Sequence, residues 1–163
     1  MYRRIREKSF CYAVLPSVIH HVQINSDDVI ADIGCGKGRV INYLLEKGIT
    51  NKIYGIELDE QIGVAIKNRL KTRNNVEIII GNVLYSLPPD VTIFYMYNPF
   101  SRQIMEEFKN ILDTYRSGEN LRIVYYNCED RDLFEKDHAY SVKQIDFKKG
   151  VVAHCCIIIE RKK

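Results

Sequence analysis

The stretch Asp32-Ile33-Gly34-Cys35-Gly36-Lys37-Gly38-Arg39 follows the apolar run Val29-Ile30-Ala31 and decides the fold of this chain. An apolar run that breaks into a glycine-rich turn before a helical pattern is typical of a strand–loop–helix unit in an α/β protein. Glycine has no Cβ, so such a turn lets a ligand approach the backbone closely and tolerates positive φ. The free N–H groups at the start of the next helix would then face that ligand.

The spacing of the glycines separates several kinds of nucleotide-binding loop. A phosphate-binding P-loop needs Ser or Thr directly after Gly-Lys, and Gly36-Lys37-Gly38 lacks that hydroxyl residue. A dinucleotide fingerprint needs a third glycine, which Arg39 replaces in one alignment and Ile41 in the other. What remains is the pattern acidic-x-Gly-x-Gly-x-Gly, which begins at Asp32.

This pattern resembles motif I of the class I S-adenosylmethionine-dependent methyltransferases, and a second acidic residue fits the same template. Glu57 ends the next apolar run and lies about 20 residues after Gly38, roughly the length of one helix and one strand. The resemblance implies that Asp32 interacts with the methionine amino end of the cofactor and that Glu57 accepts both ribose hydroxyls. The alternative for the two carboxylates is surface capping and solvation.

Two later segments also resemble that family. Gly81-Asn82-Val83 follows the apolar run Val76 to Ile80 and resembles the loop whose polar side chain bonds the adenine amino group, although an Asx turn is the alternative. Asn98-Pro99-Phe100 follows Val91 to Tyr97 and resembles motif IV. The family's amino-methylating branches have two prolines there and this chain has one, so simple strand termination stays open as an explanation.

The resemblance implies S-adenosylmethionine as the cofactor and two sets of site residues. Sulfonium carries its own leaving group, so methyl transfer mainly requires a nucleophile held in line with the methyl carbon. We expect Asn98 to orient an acceptor amine and Phe100 to stack on a planar acceptor. The predicted catalytic residues are Asn98, Pro99 and Phe100, and the predicted cofactor-binding residues are Asp32, Gly34, Cys35, Gly36, Glu57, Leu58, Asn82, Val83 and Asn98.

The remaining sequence predicts an α/β, doubly wound, Rossmann-like three-layer sandwich. Its mostly parallel seven-stranded sheet would end in an antiparallel C-terminal hairpin around the turn Lys148-Lys149-Gly150. The predicted strands are 29–33, 52–58, 76–80, 91–97, 121–126, 140–147 and 151–159, and the predicted helices are 5–23, 39–47, 60–71 and 101–115, with a turn-like link over 84–89.

The length, composition and charge of the chain limit its domain organisation and the kinds of site that it can contain. With 163 residues, 46% of them hydrophobic, we expect one methyltransferase domain, with an N-terminal helical segment over 1–27 and the core over 28–163. No apolar run is long enough for a membrane span, which favours a cytoplasmic location. The five cysteines have no zinc spacing, so we interpret them as free thiols and expect no metal. The net charge of +3 reflects basic clusters at both termini, which we interpret as solvated ends.

These observations predict an S-adenosylmethionine-dependent methyltransferase with an unidentified acceptor, which could be a small molecule, a protein or a nucleic acid. A nucleic-acid or protein amino-methyltransferase is the narrower alternative. A binding module that holds the cofactor without transferring methyl, and a dehydrogenase, are the alternatives from other classes. The sequence leaves the oligomeric state unknown.

Overall fold

The structure is a computed structural model of the chain, and it describes residues 15–115, 121–147 and 155–162. These ranges contain helices and strands in regular alternation as far as β5. The helices are α1 (Leu15–Val22), α2 (Arg39–Glu46), α3 (Glu60–Leu70), α4 (Val83–Ser86), α5 (Arg102–Thr114) and α6 (Asp132–Glu135). The strands are β1 (Ile30–Ile33), β2 (Ile53–Glu57), β3 (Val76–Ile80), β4 (Ile93–Tyr97), β5 (Arg122–Tyr126), β6 (Tyr140–Gln144) and β7 (Cys156–Arg161).

The strands form one seven-stranded sheet in the order β3-β2-β1-β4-β5-β7-β6. The pairs from β3 to β5 are parallel, whereas β7 is antiparallel to both β5 and β6. The predicted mostly parallel sheet with an antiparallel C-terminal hairpin is therefore confirmed. The strand order reverses between β1 and β4, and in open α/β sheets ligands bind beyond the carboxyl ends of the strands at such a point.

Apolar side chains cover both faces of the sheet, as the nearly continuous hydrophobic strands predict. One buried cluster joins strand residues such as Ile30, Ile53 and Ile158 to α1, α2 and α3. The other joins Phe94, Ile123 and residues of the opposite strand face to α5. The helices contribute Val18 from α1, Ile41 and Leu44 from α2, Ile66 and Leu70 from α3, and Met105, Phe108 and Leu112 from α5.

The structure differs from the predicted elements in local ways. The expected turn-like link over 84–89 is partly wrong, because a short helix, α4, begins at Val83. Asn82 stabilises this helix, since its Oδ1 accepts from Leu84 N–H at 3.0 Å, a cap that sequence spacing alone does not reveal. The N-terminal part of the first predicted helix, the hairpin turn at 148–150 and the basic residues before position 9 lie outside the described residues.

The interpretation of all five cysteines as free thiols is wrong. Cys128 and Cys155 form a disulfide with their Cα atoms 5.7 Å apart, while Cys35 and Cys156 are buried thiols outside this disulfide. Cys128 follows β5 and Cys155 precedes β7, and the antiparallel pairing of Tyr126 with Cys156 brings the two chain segments together. Sequence spacing could not reveal this pair because 27 residues separate its members.

Candidate cofactor and acceptor site

The glycine loop between β1 and α2 is built from residues with positive φ. Gly34, Gly36 and Gly38 have φ values of 71°, 53° and 70°, a region that residues with a Cβ rarely adopt. The N–H groups of Gly34 and Cys35 both donate to the carbonyl oxygen of Ile56, at 2.9 and 3.1 Å. The loop is therefore held against the carboxyl end of β2.

Glu57 ends β2 with its carboxylate fixed by backbone donors. Gly36 N–H donates to Oε2 at 2.8 Å, and Asp59 N–H donates to Oε1 at 2.9 Å. An ionised carboxylate has about four acceptor positions, so each oxygen keeps capacity for a further donor. A half-buried carboxylate held in this way suits the two neighbouring hydroxyls of a ribose.

Asp32 is a buried carboxyl group directly before the glycine loop. Only 4% of the residue is exposed, and its Oδ2 has no hydrogen-bond partner in the part of the chain that the structure describes. Burial, and to a smaller extent the negative charge of Glu57, raises the pKa of Asp32 to about 7. A buried oxygen without a donor fits a cationic ligand group such as the ammonium of the cofactor's methionine end.

Cys35 lies inside the glycine loop and packs against Gly55 on β2. A Cβ placed on Gly55 would lie 3.0 Å from the Cys35 sulfur, so the thiol occupies space that a larger residue at position 55 would need. Burial raises the pKa of the Cys35 thiol, and the charges of Asp32 and Glu57 add to that effect. The thiol is therefore a packing group and not a nucleophile.

An open cleft lies at the carboxyl ends of β1, β2, β3 and β4. The predicted site residues that line it are Gly34, Glu57, Leu58, Val83, Pro99 and Phe100. Asp32, Cys35, Gly36, Asn82 and Asn98 do not line the cleft but lie within two residues of its walls. Ile33, Ile56 and Gly81 also line it, and only their positions at strand ends could have indicated that role.

Asn82 adopts the turn geometry that was the alternative to an adenine contact. Its Oδ1 accepts from Leu84 N–H, and its carbonyl oxygen accepts from the Ser86 hydroxyl at 2.8 Å. An amide oxygen has two lone pairs, so Oδ1 can accept from more than one donor, as a contact with an adenine amino group would require. The cofactor role of Asn82 stays a prediction.

The motif Asn98-Pro99-Phe100 follows β4 and packs directly on the glycine loop. A Cβ on Gly34 would lie 3.3 Å from Cβ of Pro99, so the close approach of the two loops favours glycine at position 34. Phe100 is buried against Phe108, with ring centroids 5.4 Å apart, and also lines the cleft. Its proposed stacking on an acceptor stays a prediction.

Asn98 is held by a network that the sequence did not indicate. The residue is 1% exposed and has φ 35°, and its Oδ1 accepts from the Tyr125 hydroxyl at 3.0 Å. That hydroxyl accepts in turn from Asp130 N–H at 3.2 Å. Asn98 Nδ2 has no partner among the described residues. Tyr125 lies 27 residues from Asn98, so no local pattern could have found it.

Two other expectations concern metals and membranes. Within residues 15–115, 121–147 and 155–162, no group of three or more His, Cys, Asp or Glu side chains is arranged to hold a metal ion. No helix in those ranges has both the length and the apolar character needed to cross a membrane.

No protein-family model matches the chain. Over 70 residues the chain is 37% identical to the probable ribosomal RNA small subunit methyltransferase A of Methanococcoides burtonii, a match that covers 43% of this chain and 25% of that protein. The chain thus spans about a quarter of the length of the curated ribosomal RNA methyltransferases that it matches.

Solved structures show the same fold. The RNA methyltransferase from Salinibacter ruber in complex with S-adenosyl-L-homocysteine matches with a TM-score of 0.68 and 16% identity, covering 92% of this chain and 90% of that one. The precorrin-6y C5,15-methyltransferase from Geobacter metallireducens matches with a TM-score of 0.71 and 19% identity, covering 99% and 94%. The motifs, the strand order and these matches together show that the chain has the fold of the class I S-adenosylmethionine-dependent methyltransferases.

Proposed function

We propose that this chain transfers a methyl group from S-adenosylmethionine to an acceptor bound beside Asn98-Pro99-Phe100. The observation that carries the proposal is the packing of Pro99 on Gly34, because Asn98-Pro99-Phe100 and the glycine loop then border one cleft. When bound, S-adenosylmethionine supplies an electrophilic methyl group on a sulfonium. The chain itself then has to bind and orient the cofactor and the acceptor, and to exclude water from between them.

Three side chains carry the proposed binding roles. Asp32 accepts from the cofactor's ammonium, and its raised pKa means that it gives up a proton when this cation binds near neutral pH. Glu57 accepts from the ribose hydroxyls while Gly36 and Asp59 hold it in place. Asn98 orients the acceptor through its side-chain amide, which Tyr125 holds in one orientation.

We propose an amine of RNA as the acceptor class. Two of the similar proteins are described as ribosomal RNA and RNA methyltransferases, and Asn98-Pro99-Phe100 resembles the amine-methylating motif apart from one proline. A small-molecule acceptor is the second candidate, because the fold of a precorrin methyltransferase is equally similar. We also propose a cytoplasmic location, where the Cys128–Cys155 pair is expected to be reduced.

Calorimetric titration with S-adenosylmethionine, S-adenosylhomocysteine and NADH tests the cofactor. We expect micromolar binding of the first two, about −8 kcal/mol, and none of NADH. Glu57→Ala should weaken cofactor binding by about 2 kcal/mol because charge-assisted ribose bonds are lost. Glu60→Ala, an exposed carboxylate at the start of α3, is the matched control and should bind normally. Normal affinity in Glu57→Ala would overturn the ribose assignment.

Transfer of a radiolabelled methyl group to hypomethylated ribosomal RNA tests the reaction. Asn98→Ala should reduce turnover more than it reduces cofactor affinity, because its role concerns the acceptor. Equal loss of both would place Asn98 in the cofactor pocket. Cofactor binding without methyl transfer to RNA, protein or small-molecule mixtures would favour the non-catalytic binding module.

A further inference from the structure

One flank of the molecule carries a row of exposed cations. Lys67 and Arg69 lie in the last turns of α3, and Lys71 and Arg73 follow in the turn before β3. All four residues are exposed to solvent. We call this surface, defined by these four residues, the α3 flank.

The four cations of the α3 flank differ from those around α5 and α6, which form ion pairs with carboxylates. Among the described residues, no ion pair joins any of the four to a carboxylate. Around α5 and α6, by contrast, exposed and half-buried cations have carboxylate partners. The pairs there are Arg102 with Asp132 at 2.8 Å, Lys109 with Asp137 at 2.5 Å and Lys136 with Asp132 at 3.0 Å.

The spacing of these cations adds to their repulsion. Lys67 and Lys71 are four residues apart, and like charges at that spacing on a helix destabilise it. The helix dipole compensates for cations in the last turn of α3. Arg73 lies beyond that turn, so the dipole does not account for the whole row. A bound polyanion would remove the remaining repulsion.

The α3 flank is continuous with the candidate site. The guanidinium of Arg69 donates to the carbonyl oxygen of Lys37 in the glycine loop at 2.6 Å. A Cβ placed on Gly38 would lie 3.1 Å from the same guanidinium. Arg69 therefore joins the α3 flank to the glycine loop, and Lys71 and Arg73 extend the row along the surface toward the amino end of β3.

We propose that the α3 flank binds the phosphate backbone of the RNA acceptor and so holds the RNA next to the cleft. This inference rests on the proposed function and deepens it, because it assigns the surface that the substrate contacts outside the cleft. Arg and Lys suit phosphate, and several cations in a row match the regular charge of a nucleic-acid strand. A membrane surface fits poorly, because the apolar residues Ile66 and Leu70 of α3 point into the core.

Fluorescence anisotropy with a labelled single-stranded RNA, measured over a series of KCl concentrations, tests the proposal. The variant Lys67→Gln/Lys71→Gln/Arg73→Gln removes three cations and keeps Arg69, which packs on the glycine loop. Its RNA affinity at low salt should fall at least tenfold. The slope of log affinity against log salt should become shallower by about 2, since each lost phosphate contact contributes about 0.7 for single strands.

The matched control removes three exposed cations at the opposite edge of the sheet: Lys136→Gln/Lys143→Gln/Lys162→Gln. This control has the same net charge as the α3-flank variant and should bind RNA within about twofold of the wild type if location matters. An equal loss in both variants would mean that net charge alone attracts RNA and would overturn the proposal. Unchanged binding and salt slope in the α3-flank variant would also overturn it.

Two further measurements distinguish a failure of the α3-flank proposal from a failure of the proposed function. S-adenosylmethionine is titrated into the same three preparations, and all should bind it equally, which also shows that the variants are folded. Normal cofactor binding by a wild-type protein that does not bind RNA would overturn the α3-flank proposal and leave the cofactor assignment intact. Binding to polyglutamate or to phosphatidylserine vesicles, but not to RNA, would point to another partner and would likewise overturn it.

Discussion

The two sides of the cleft are built by different kinds of contact. On the β1–β2 side, backbone N–H groups of the glycine loop and of Asp59 hold the carboxylate of Glu57. On the β4–β5 side, the Tyr125 hydroxyl holds Asn98, and a disulfide joins the segment after β5 to β7. The proposed cofactor side thus depends on backbone conformation, whereas the proposed acceptor side depends on side chains that are distant in sequence. A substitution should therefore act differently on the two sides.

Gly38→Ala should have the largest effect on the free energy of unfolding, because it places a Cβ at a position of the glycine loop whose backbone conformation favours glycine. The residue has φ 70°, and a Cβ there would overlap Cδ1 of Ile66 on α3. Left-handed strain and overpacking together should lower the free energy of unfolding by about 4 kcal/mol. Urea denaturation of the wild type and the variant measures this loss.

Gly48→Ala is the matched control for that substitution. Gly48 has φ 75°, but no atom lies within 4 Å of the position its Cβ would take. It should therefore lose only the strain contribution, about 1–2 kcal/mol. Equal losses at positions 38 and 48 would show that the contact with α3 adds nothing.

Cys128→Ser probes the acceptor side, where the disulfide closes a loop with a sequence separation of 27 residues. Loss of that cross-link should lower the free energy of unfolding of the oxidised protein by about 3 kcal/mol, by the loop-entropy argument. Thermal or urea unfolding with and without dithiothreitol measures it. Reductant should destabilise the wild type and leave Cys128→Ser unchanged; a wild type that does not respond would contradict the prediction.

Asp32→Asn should stabilise the protein at high pH while weakening cofactor binding. The pKa of Asp32 is raised to about 7 in the folded protein, chiefly by burial, so the folded state keeps a proton that the unfolded chain loses above about pH 4. The energetic cost of this carboxyl is absent below about pH 4, grows up to about pH 7 and is then constant.

The variant should therefore be more stable than the wild type at pH 8, by a few kcal/mol, and about equally stable at pH 4, because asparagine carries no charge to bury. Urea denaturation across this pH range measures the difference. A constant difference at all pH values would show that the ionisation of Asp32 is not its cause.

Tyr125→Phe should have the smallest effect, because it removes one hydroxyl and leaves the packing of the acceptor side intact. Asn98 Oδ1 loses its donor and Asp130 N–H loses its acceptor, which should lower the free energy of unfolding by about 1–2 kcal/mol. Cofactor affinity should not change. Tyr140→Phe, which removes a hydroxyl that donates to Asp113 Oδ1 at 2.5 Å at the far edge of the sheet, is the control.

If Tyr125 positions Asn98, methyl transfer should fall in Tyr125→Phe and stay normal in Tyr140→Phe, although both variants lose stability. Equal methyl-transfer activity in the two variants would mean that the Tyr125 hydroxyl contributes to stability alone.

Much of the fold could be predicted because local patterns limit it strongly. The strand over Val76–Ile80 begins and ends where the apolar run does, and the positive φ of Gly34, Gly36 and Gly38 agrees with the glycine pattern. The errors lie where side chains compete with that pattern. Asn82 caps a short helix in a predicted link, and two cysteines with no recognisable spacing pair across β5 and β7.

The sequence by itself determined the alternation of strands and helices, the glycine loop and the placement of Asp32 and Glu57 next to it. These features follow from short-range rules: apolar periodicity, the conformational freedom of glycine, and a nearly constant length for one helix and one strand. Only the tertiary structure decided that Asp130 N–H holds the Tyr125 hydroxyl, which in turn holds Asn98. It also decided that Cys128 pairs with Cys155 and that Pro99 packs on Gly34. Those contacts join residues that become neighbours through the strand order, so the spacing of the residues along the chain does not predict them.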